Sequence, residues 1–135
     1  MNILVTGGAG FIGSHLVDRL VELGHTVSVA DLPSKNKENV AYYGLDLSSE
    51  DWSSIDGDFD VIYHLAAQPY GRGSEEEPFL DLNYNTKAFL KMCYFAKQRG
   101  VKKVIYTSTM AVYGNNAFAK ESDNLQPLSN YAVSK

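Results

Sequence analysis

The chain has a single cysteine, Cys93, so no disulfide can close within it, and its composition suits a reducing, cytoplasmic setting. Cys93 falls inside a helical apolar pattern and reads as a small buried side chain. Positive charge is also scarce. Twelve Lys and Arg residues against 16 Asp and Glu leave a formal charge of −4, which offers no basic surface for DNA or RNA. The densest charge run, Glu75-Glu76-Glu77, reads as a solvated turn. No segment approaches the roughly 18 uninterrupted apolar residues of a membrane span, and the N-terminus opens on a strand pattern without the basic flank and apolar core of a signal peptide. Repeats and low-complexity tracts are missing, and His15, His25 and His64 have no metal-ligand spacing. What is there is 135 residues of ordinary globular composition, 44% hydrophobic and 21% charged, enough for one domain with one core.

Short apolar runs alternate with helical periodicity. Asn2-Ile-Leu-Val-Thr6 is rich in β-branched residues and ends at a glycine cluster, the pattern of a buried parallel strand. Residues 11–23 then read as a helix with Ile12, Leu16, Leu20 and Leu23 on one face, stopped by Gly24. Residues 26–30 make a second strand ending at Asp31, 32–39 a polar connection, 40–44 a weaker third strand, 48–54 a short helical turn, and 59–64 a fourth strand. The longest periodic segment, Pro78 to Arg99, predicts one helix covered on two sides: Leu82, Phe89, Cys93 and Ala96 on one, Tyr84, Ala88, Met92 and Phe95 on the other. Lys103 to Thr107 is a fifth strand, 110–126 is irregular, and Ser129 is placed to cap a further helix. The order predicts an α/β protein with a doubly wound parallel sheet of the Rossmann type, about five strands in the order 3-2-1-4-5.

Three features carry chemistry. Gly8-Ala-Gly10-Phe-Ile-Gly13 fits G-x-G-x-x-G, and Gly7, Gly10 and Gly13 fit a second glycine spacing in the same turn. Such glycines allow a tight turn, let backbone N–H groups approach a pyrophosphate, and let the helix pack close to the strand. A strand precedes the turn, a helix follows, and Asp31 closes the next strand, which is the context of dinucleotide binding. No Gly-Lys-Ser/Thr follows, which excludes a triphosphatase phosphate loop. Asp31 can accept hydrogen bonds from both ribose hydroxyls and repel a 2′-phosphate, favouring NAD over NADP; Lys35 and Lys37 act against that preference, and a strand-end aspartate can also simply cap a turn. Tyr131 and Lys135 are four residues apart and would share a helix face. A phenol titrates near 10, but an ammonium about 4 Å away is worth roughly 4 kcal/mol at an effective dielectric of about 20, enough to bring tyrosinate within reach. Tyr-x-x-x-Lys alone is commonly a surface pair. Here it follows a strand ending in Thr107-Ser108-Thr109, whose hydroxyls can orient a substrate hydroxyl.

Thr6-Gly-Gly-Ala-Gly-Phe-Ile-Gly13, Asp31, Asp46-Leu47, His64-Leu-Ala-Ala67, Ser108-Thr-x-x-Val-Tyr-Gly114 and Tyr131-x-x-x-Lys135, in this order, resemble the N-terminal part of the extended short-chain dehydrogenase/reductase family, in its NAD-dependent nucleotide-sugar epimerase/dehydratase group. The resemblance implies NAD as cofactor and a nucleotide sugar as partner. It implies that Gly7, Gly10, Phe11, Ile12 and Gly13 hold the pyrophosphate, that Asp46 and Leu47 hold the adenine, and that Leu65, Ala66 and Ala67 pass beneath the cofactor. Asn85 matches the family's helix asparagine, with Asn83 in competition because the family's Gly-Thr is replaced by Ala88-Phe89. It implies proton abstraction by Tyr131 from a sugar hydroxyl, Thr109 bridging, and Lys135 lowering the tyrosine pKa and binding the nicotinamide ribose. Dehydratases of the group carry Asp-Glu after the threonine, where this chain has Met110 and Ala111, so epimerase or plain reductase chemistry is expected. His64 resembles the family's structural strand-end histidine, and Tyr113 either lines the sugar site or packs at a strand end.

By the same resemblance, residues 1–135 are expected to form an incomplete NAD-binding Rossmann domain with the substrate domain absent. The alternative is a non-catalytic NAD-binding module or a truncated reading frame without turnover. A helix from Ser129 to Lys135 is too short to propagate beyond its nucleus, which predicts no fixed spacing for its two reactive groups. The two-sided helix of residues 78–99 predicts an exposed apolar patch and self-association, possible as a homodimer.

Overall fold

A computed structural model describes residues 1–33, 40–48, 51–68 and 73–135. The expected polar connection, with Lys35 and Lys37, lies largely outside these residues. Strands β1 (Asn2–Thr6), β2 (Thr26–Asp31), β3 (Ala41–Gly44), β4 (Val61–His64) and β5 (Lys103–Tyr106) form one sheet in the order β3-β2-β1-β4-β5. All four pairings are parallel, with Leu4 opposite Ser28 on one side and Ile62 on the other. This is the α/β architecture the alternating pattern predicted.

Successive strand residues point to opposite faces, so β1 feeds two cores at once. Leu4 and Ile62 join Ala30, Leu45, Trp52, Ile55, Phe59, Met92 and Phe95 on one face. Ile3 and Val5 join Val17, Leu20, Val27, Val29 and Val61 on the other. Burying each such side chain stabilises by about 1.5–3 kcal/mol, which is why the central strands are near-continuous apolar runs.

Helix α1 spans Phe11–Glu22, but its buried stripe is Gly13, Val17 and Leu20 rather than the face predicted from Ile12 and Leu23. Ile12 is 68% exposed, and Leu23 is exposed as well. The cause is Gly13, whose backbone lies so close to the first turn that a Cβ there would stand 2.1 Å from Gly7 O. Rooting the helix on Gly13 brings positions i, i+4 and i+7 from it to the sheet. Gly24, at φ 79°, ends the helix, with its N–H bonded to Val21 O and that of His25 to Leu20 O.

The helix expected from Pro78 to Arg99 is one unbroken helical run to Gln98, with a π turn inside it. Helix α2 (Gly73–Glu76) precedes α3 (Pro78–Leu82), a π-helical turn follows at Asn83–Lys87, and α4 runs over Ala88–Gln98. The wider turn shifts the helical phase. Asp81, Asn85, Ala88, Met92, Phe95 and Ala96 are buried, whereas Leu82, expected on an apolar face, is 49% exposed. Cys93 is exposed too, contrary to expectation, because Ala88, Met92 and Phe95 occupy the sheet-facing side. Leu90 and Tyr94 stand exposed on the outer side of α4. Of the turn expected at 48–54, residues 49–50 lie outside the described ones and Trp52–Ser54 form a 3-10 turn; the irregular stretch after β5 contains a second at Met110–Tyr113. Helix α5 (Asn130–Ser134) starts at Ser129, whose hydroxyl accepts the Ala132 N–H at 3.1 Å. Among the described residues no helix is long and apolar enough to cross a membrane.

Candidate active site

A parallel sheet whose order reverses beside β1 opens a crevice at its C-terminal edge, between the segments leaving β1 and β4. The glycine turn leaves β1 there. Gly7 takes φ 72°, and a Cβ on it would lie 2.6 Å from Ala66 N, so only glycine lets the turn pass this close to the exit of β4. With Gly13 equally confined, the turn is a cradle that side chains would fill. Gly10 caps α1 without a side-chain bond, and Phe11 and Ile12 are exposed around the helix N-terminus. By helix geometry the first N–H groups have no intrahelical acceptor, and they carry the positive end of the dipole. An anionic pyrophosphate matches them.

Asp31 ends β2 beside this turn. Its Oδ2 accepts the Ala9 N–H and its Oδ1 the Leu32 N–H, each at 2.8 Å. The strand-end role and the ribose role are therefore not alternatives: each oxygen keeps a second lone pair for an incoming hydroxyl. Beyond β3, Asp46 Oδ1 accepts the Ser48 N–H at 2.9 Å and the Ser48 hydroxyl at 2.7 Å. Asp46 and buried Leu47 line a recess of about 80 Å³ with Asp31, Ala67 and Tyr84.

At the end of β4, Leu65 N–H bonds Thr6 O at 3.0 Å, and Leu65, Ala66 and Ala67 are all partly exposed toward the crevice edge. Beneath them His64 is fully buried, its Nδ1 2.6 Å from Thr6 Oγ1. Thr6 Oγ1 also receives the Ala66 N–H at 3.4 Å. Nε2 has no hydrogen-bond partner among the described residues; Trp52, Phe89 and Tyr106 surround the ring. Burial, and secondarily the Lys135 ammonium, push the His64 pKa down to about 4. The histidine is a neutral brace rather than a proton donor.

Asn85, and not Asn83, is turned inward. Its Oδ1 accepts the Gln68 N–H at 2.8 Å, and its Nδ2 donates to Asp81 Oδ1 at 3.1 Å and to Ser134 Oγ at 2.9 Å. Asn83 is exposed.

Past β5, the Met110–Tyr113 turn headed by Thr109 packs against α5, which carries Tyr131 and ends at Lys135. Thr109 Oγ1 accepts the Ala111 N–H at 3.3 Å and so heads the Met110–Tyr113 turn with its own proton free to donate. Helix α5 is short, yet its spacing is fixed: Lys135 N–H bonds Tyr131 O at 3.1 Å, Ser108 Oγ donates to Lys135 O at 3.2 Å, and Glu75 meets the Asn130 N–H at 3.4 Å. The segment expected to be too short to propagate is helical, held by tertiary bonds rather than by helix propagation. The Lys135 ammonium lies 4.6 Å over the Tyr106 ring, a cation–π contact the sequence reading did not foresee. Burial pulls the Lys135 pKa down, opposed by the attraction of Asp81. Burial, then the neighbouring Tyr131, raises that of Tyr106. Asp81, Tyr106 and Ser134 are the residues that sequence reasoning missed. The available signal was the Asp81–Asn85 spacing of four, a polar pair on a face otherwise apolar. Among the described residues no cluster of three metal-ligating side chains occurs.

Residues 3–135 match the family described as NAD dependent epimerase/dehydratase. The chain belongs to that family. It is 36% identical over 150 residues to a UDP-glucose 4-epimerase of Mycolicibacterium smegmatis, covering 100% of this chain and 48% of the relative. Among solved structures, the UDP-glucose 4-epimerase of Thermus thermophilus in complex with NAD superposes with a TM-score of 0.89 at 34% identity, over 100% of this chain and 47% of that one. A UDP-N-acetylglucosamine 4-epimerase from Methanobrevibacter ruminantium, in complex with UDP-N-acetylmuramic acid, gives 0.87 at 40% identity, over 98% and 46%. This epimerase/dehydratase-family chain thus spans about half the length of the relatives it matches.

Proposed function

We propose that the chain is the cofactor-binding part of an NAD-dependent nucleotide-sugar epimerase, an isomerase working through oxidoreductase chemistry. The carrying observation is the alignment of five strand ends along one edge: glycine cradle, Asp31, Asp46–Leu47 recess, Leu65–Ala67 floor and the Thr109–Tyr131–Lys135 group. Gly7, Gly10, Phe11, Ile12 and Gly13 receive the pyrophosphate, Asp31 the adenosine ribose, and Asp46 and Leu47 the adenine. Asn85 serves the cofactor site by fixing the Gln68 backbone at the floor's end. NAD held there supplies a hydride acceptor for a sugar carbon and a donor for its return. Tyr131 takes the sugar hydroxyl proton as the hydride leaves and gives it back afterwards. Thr109 donates its free proton to the same hydroxyl, and the Lys135 ammonium favours the tyrosinate electrostatically. Met110 and Ala111 follow Thr109 where dehydratases carry an acid and a base, which favours epimerisation over loss of water.

The nucleotide-sugar partner of this reading would be gripped by the half of the relatives' length that lies beyond the match. Exposed Leu82, Leu90 and Tyr94 support self-association through residues 78–99, and exposed Cys93 suits a cytoplasmic, reducing setting. A second reading, an NAD-binding module without turnover, is favoured by the half-length match alone. Calorimetry with NAD tests both, since a chain that does not bind NAD fits neither. Interconversion of UDP-glucose and UDP-galactose by the chain removes the inert module; NAD binding without turnover even when a relative's further half is supplied removes the epimerase.

A further inference from the structure

We infer that Asp81 is a positioning residue for the Tyr131–Lys135 pair, gripping through Ser134 the short helix that carries both. The inference rests on the proposed role of that pair. Helix α5 has five residues and cannot persist on local bonds alone. Its anchor is a triangle of polar groups in which Asp81 is 1% exposed, Asn85 2% and Ser134 half-buried. Ser134 Oγ donates to Asp81 Oδ2, and Asn85 Nδ2 donates to both Asp81 Oδ1 and Ser134 Oγ, closing the triangle. Thr86 Oγ1 adds a bond to Ser134 O at 3.3 Å.

The single proton on Ser134 has two acceptors in reach, Asp81 Oδ2 and, at 3.0 Å, the Tyr131 carbonyl of its own helix. The charged oxygen takes it, because a charge-assisted bond is about twice as strong as a neutral one. Asp81 therefore turns a serine that would otherwise bond back within its helix into a tertiary anchor. Ser134 adjoins Lys135, so whatever fixes its backbone fixes the origin of the lysine side chain. The same carboxylate favours the Lys135 ammonium, which also meets the Tyr106 ring and acts on the neutral His64.

Amide hydrogen exchange of the 135-residue chain tests this without ligand. Val133 N–H, bonded to Ser129 O, and Lys135 N–H, bonded to Tyr131 O, report on α5, while Leu4 and Val5 report on the sheet. Asp81→Asn is expected to cut protection in α5 at least tenfold and to change β1 less than twofold. Ser134→Ala should do the same. The double variant should lose no more than a further twofold, because the two act through one bond. The Lys135 Cε resonance should also titrate at lower pH in Asp81→Asn, a readout that loosening alone would not move in that direction. Unchanged α5 protection, equal losses in α5 and β1, or additive single effects would each overturn the inference. Ser134→Ala, which leaves Asp81 bonded to Asn85, decides the matter if Asp81→Asn does not fold. Calorimetry with NAD on the unaltered chain separates the two claims: no binding there sinks the functional reading, while exchange speaks to Asp81 alone.

Discussion

Lowering the pH from 8 to 5 should destabilise this protein through one identifiable side chain. His64 is fully buried among Trp52, Phe89 and Tyr106 and holds its ring neutral, with a pKa of about 4 against 6.5 for a free imidazole. The unfolded chain takes up a proton near pH 6.5 and the folded chain does not, so between those values the unfolded state binds more protons and stability falls with falling pH. The contribution is intact above about pH 6.5 and fully lost below about pH 4. At 1.36 kcal/mol per pKa unit, the loss is about 2 kcal/mol at pH 5 and about 3 kcal/mol once both states are protonated. Urea denaturation at pH 8 and pH 5, in the wild type and in His64→Gln, isolates this amount as the difference between the two pH dependences. Proton NMR should show a Cε1 resonance, absent from His64→Gln, that does not move above pH 5. The reasoning fails if both proteins lose the same stability over this range, or if the folded ring titrates near 6.5.

The glycine cradle makes a second prediction: Gly13→Ala gains at most about 1 kcal/mol of helix propensity but meets Gly7 O at 2.1 Å, so a net loss of about 1–3 kcal/mol and weaker NAD binding should appear in denaturation and calorimetry. Ser129→Ala removes the hydroxyl that accepts the Ala132 N–H and should cost about 1 kcal/mol, seen as faster amide exchange confined to α5. Leu4→Ala empties a completely buried site shared with Ile62 and should cost about 2–5 kcal/mol in urea denaturation.

Strands and their order were legible because each strand is a short run bounded by turn residues, and because the glycine turn and Asp31 mark the first two strands unambiguously. Helix faces were less so. Periodicity alone puts Ile12 and Leu23 inward on α1 along with Leu16 and Leu20, which do pack there, but the contact that sets the rotation is between two backbones, Gly13 and Gly7, and carries no hydrophobic signal. The π turn at Asn83–Lys87 has no residue pattern that announces it, so Leu82 and Cys93 were placed one phase away from where they lie. The anchoring of α5 was invisible for a different reason. Ser134 and Asp81 are 53 residues apart, and neither belongs to a motif that points to the other. Of the site, the groups that would touch the cofactor were legible from glycine and acidic spacings, whereas those that hold the touching groups, Asp81, Ser134 and Tyr106, required the fold.

Asp31 holds Ala9 with one oxygen, and in the proposed cofactor site it also offers lone pairs to a ribose. Cofactor preference in this chain is consequently not a separable trait. Replacing Asp31 to welcome a 2′-phosphate would also cut the tether that tightens the phosphate-binding turn, so a switch to NADP would need a substitute donor–acceptor pair for Ala9 before any gain in phosphate contacts could register.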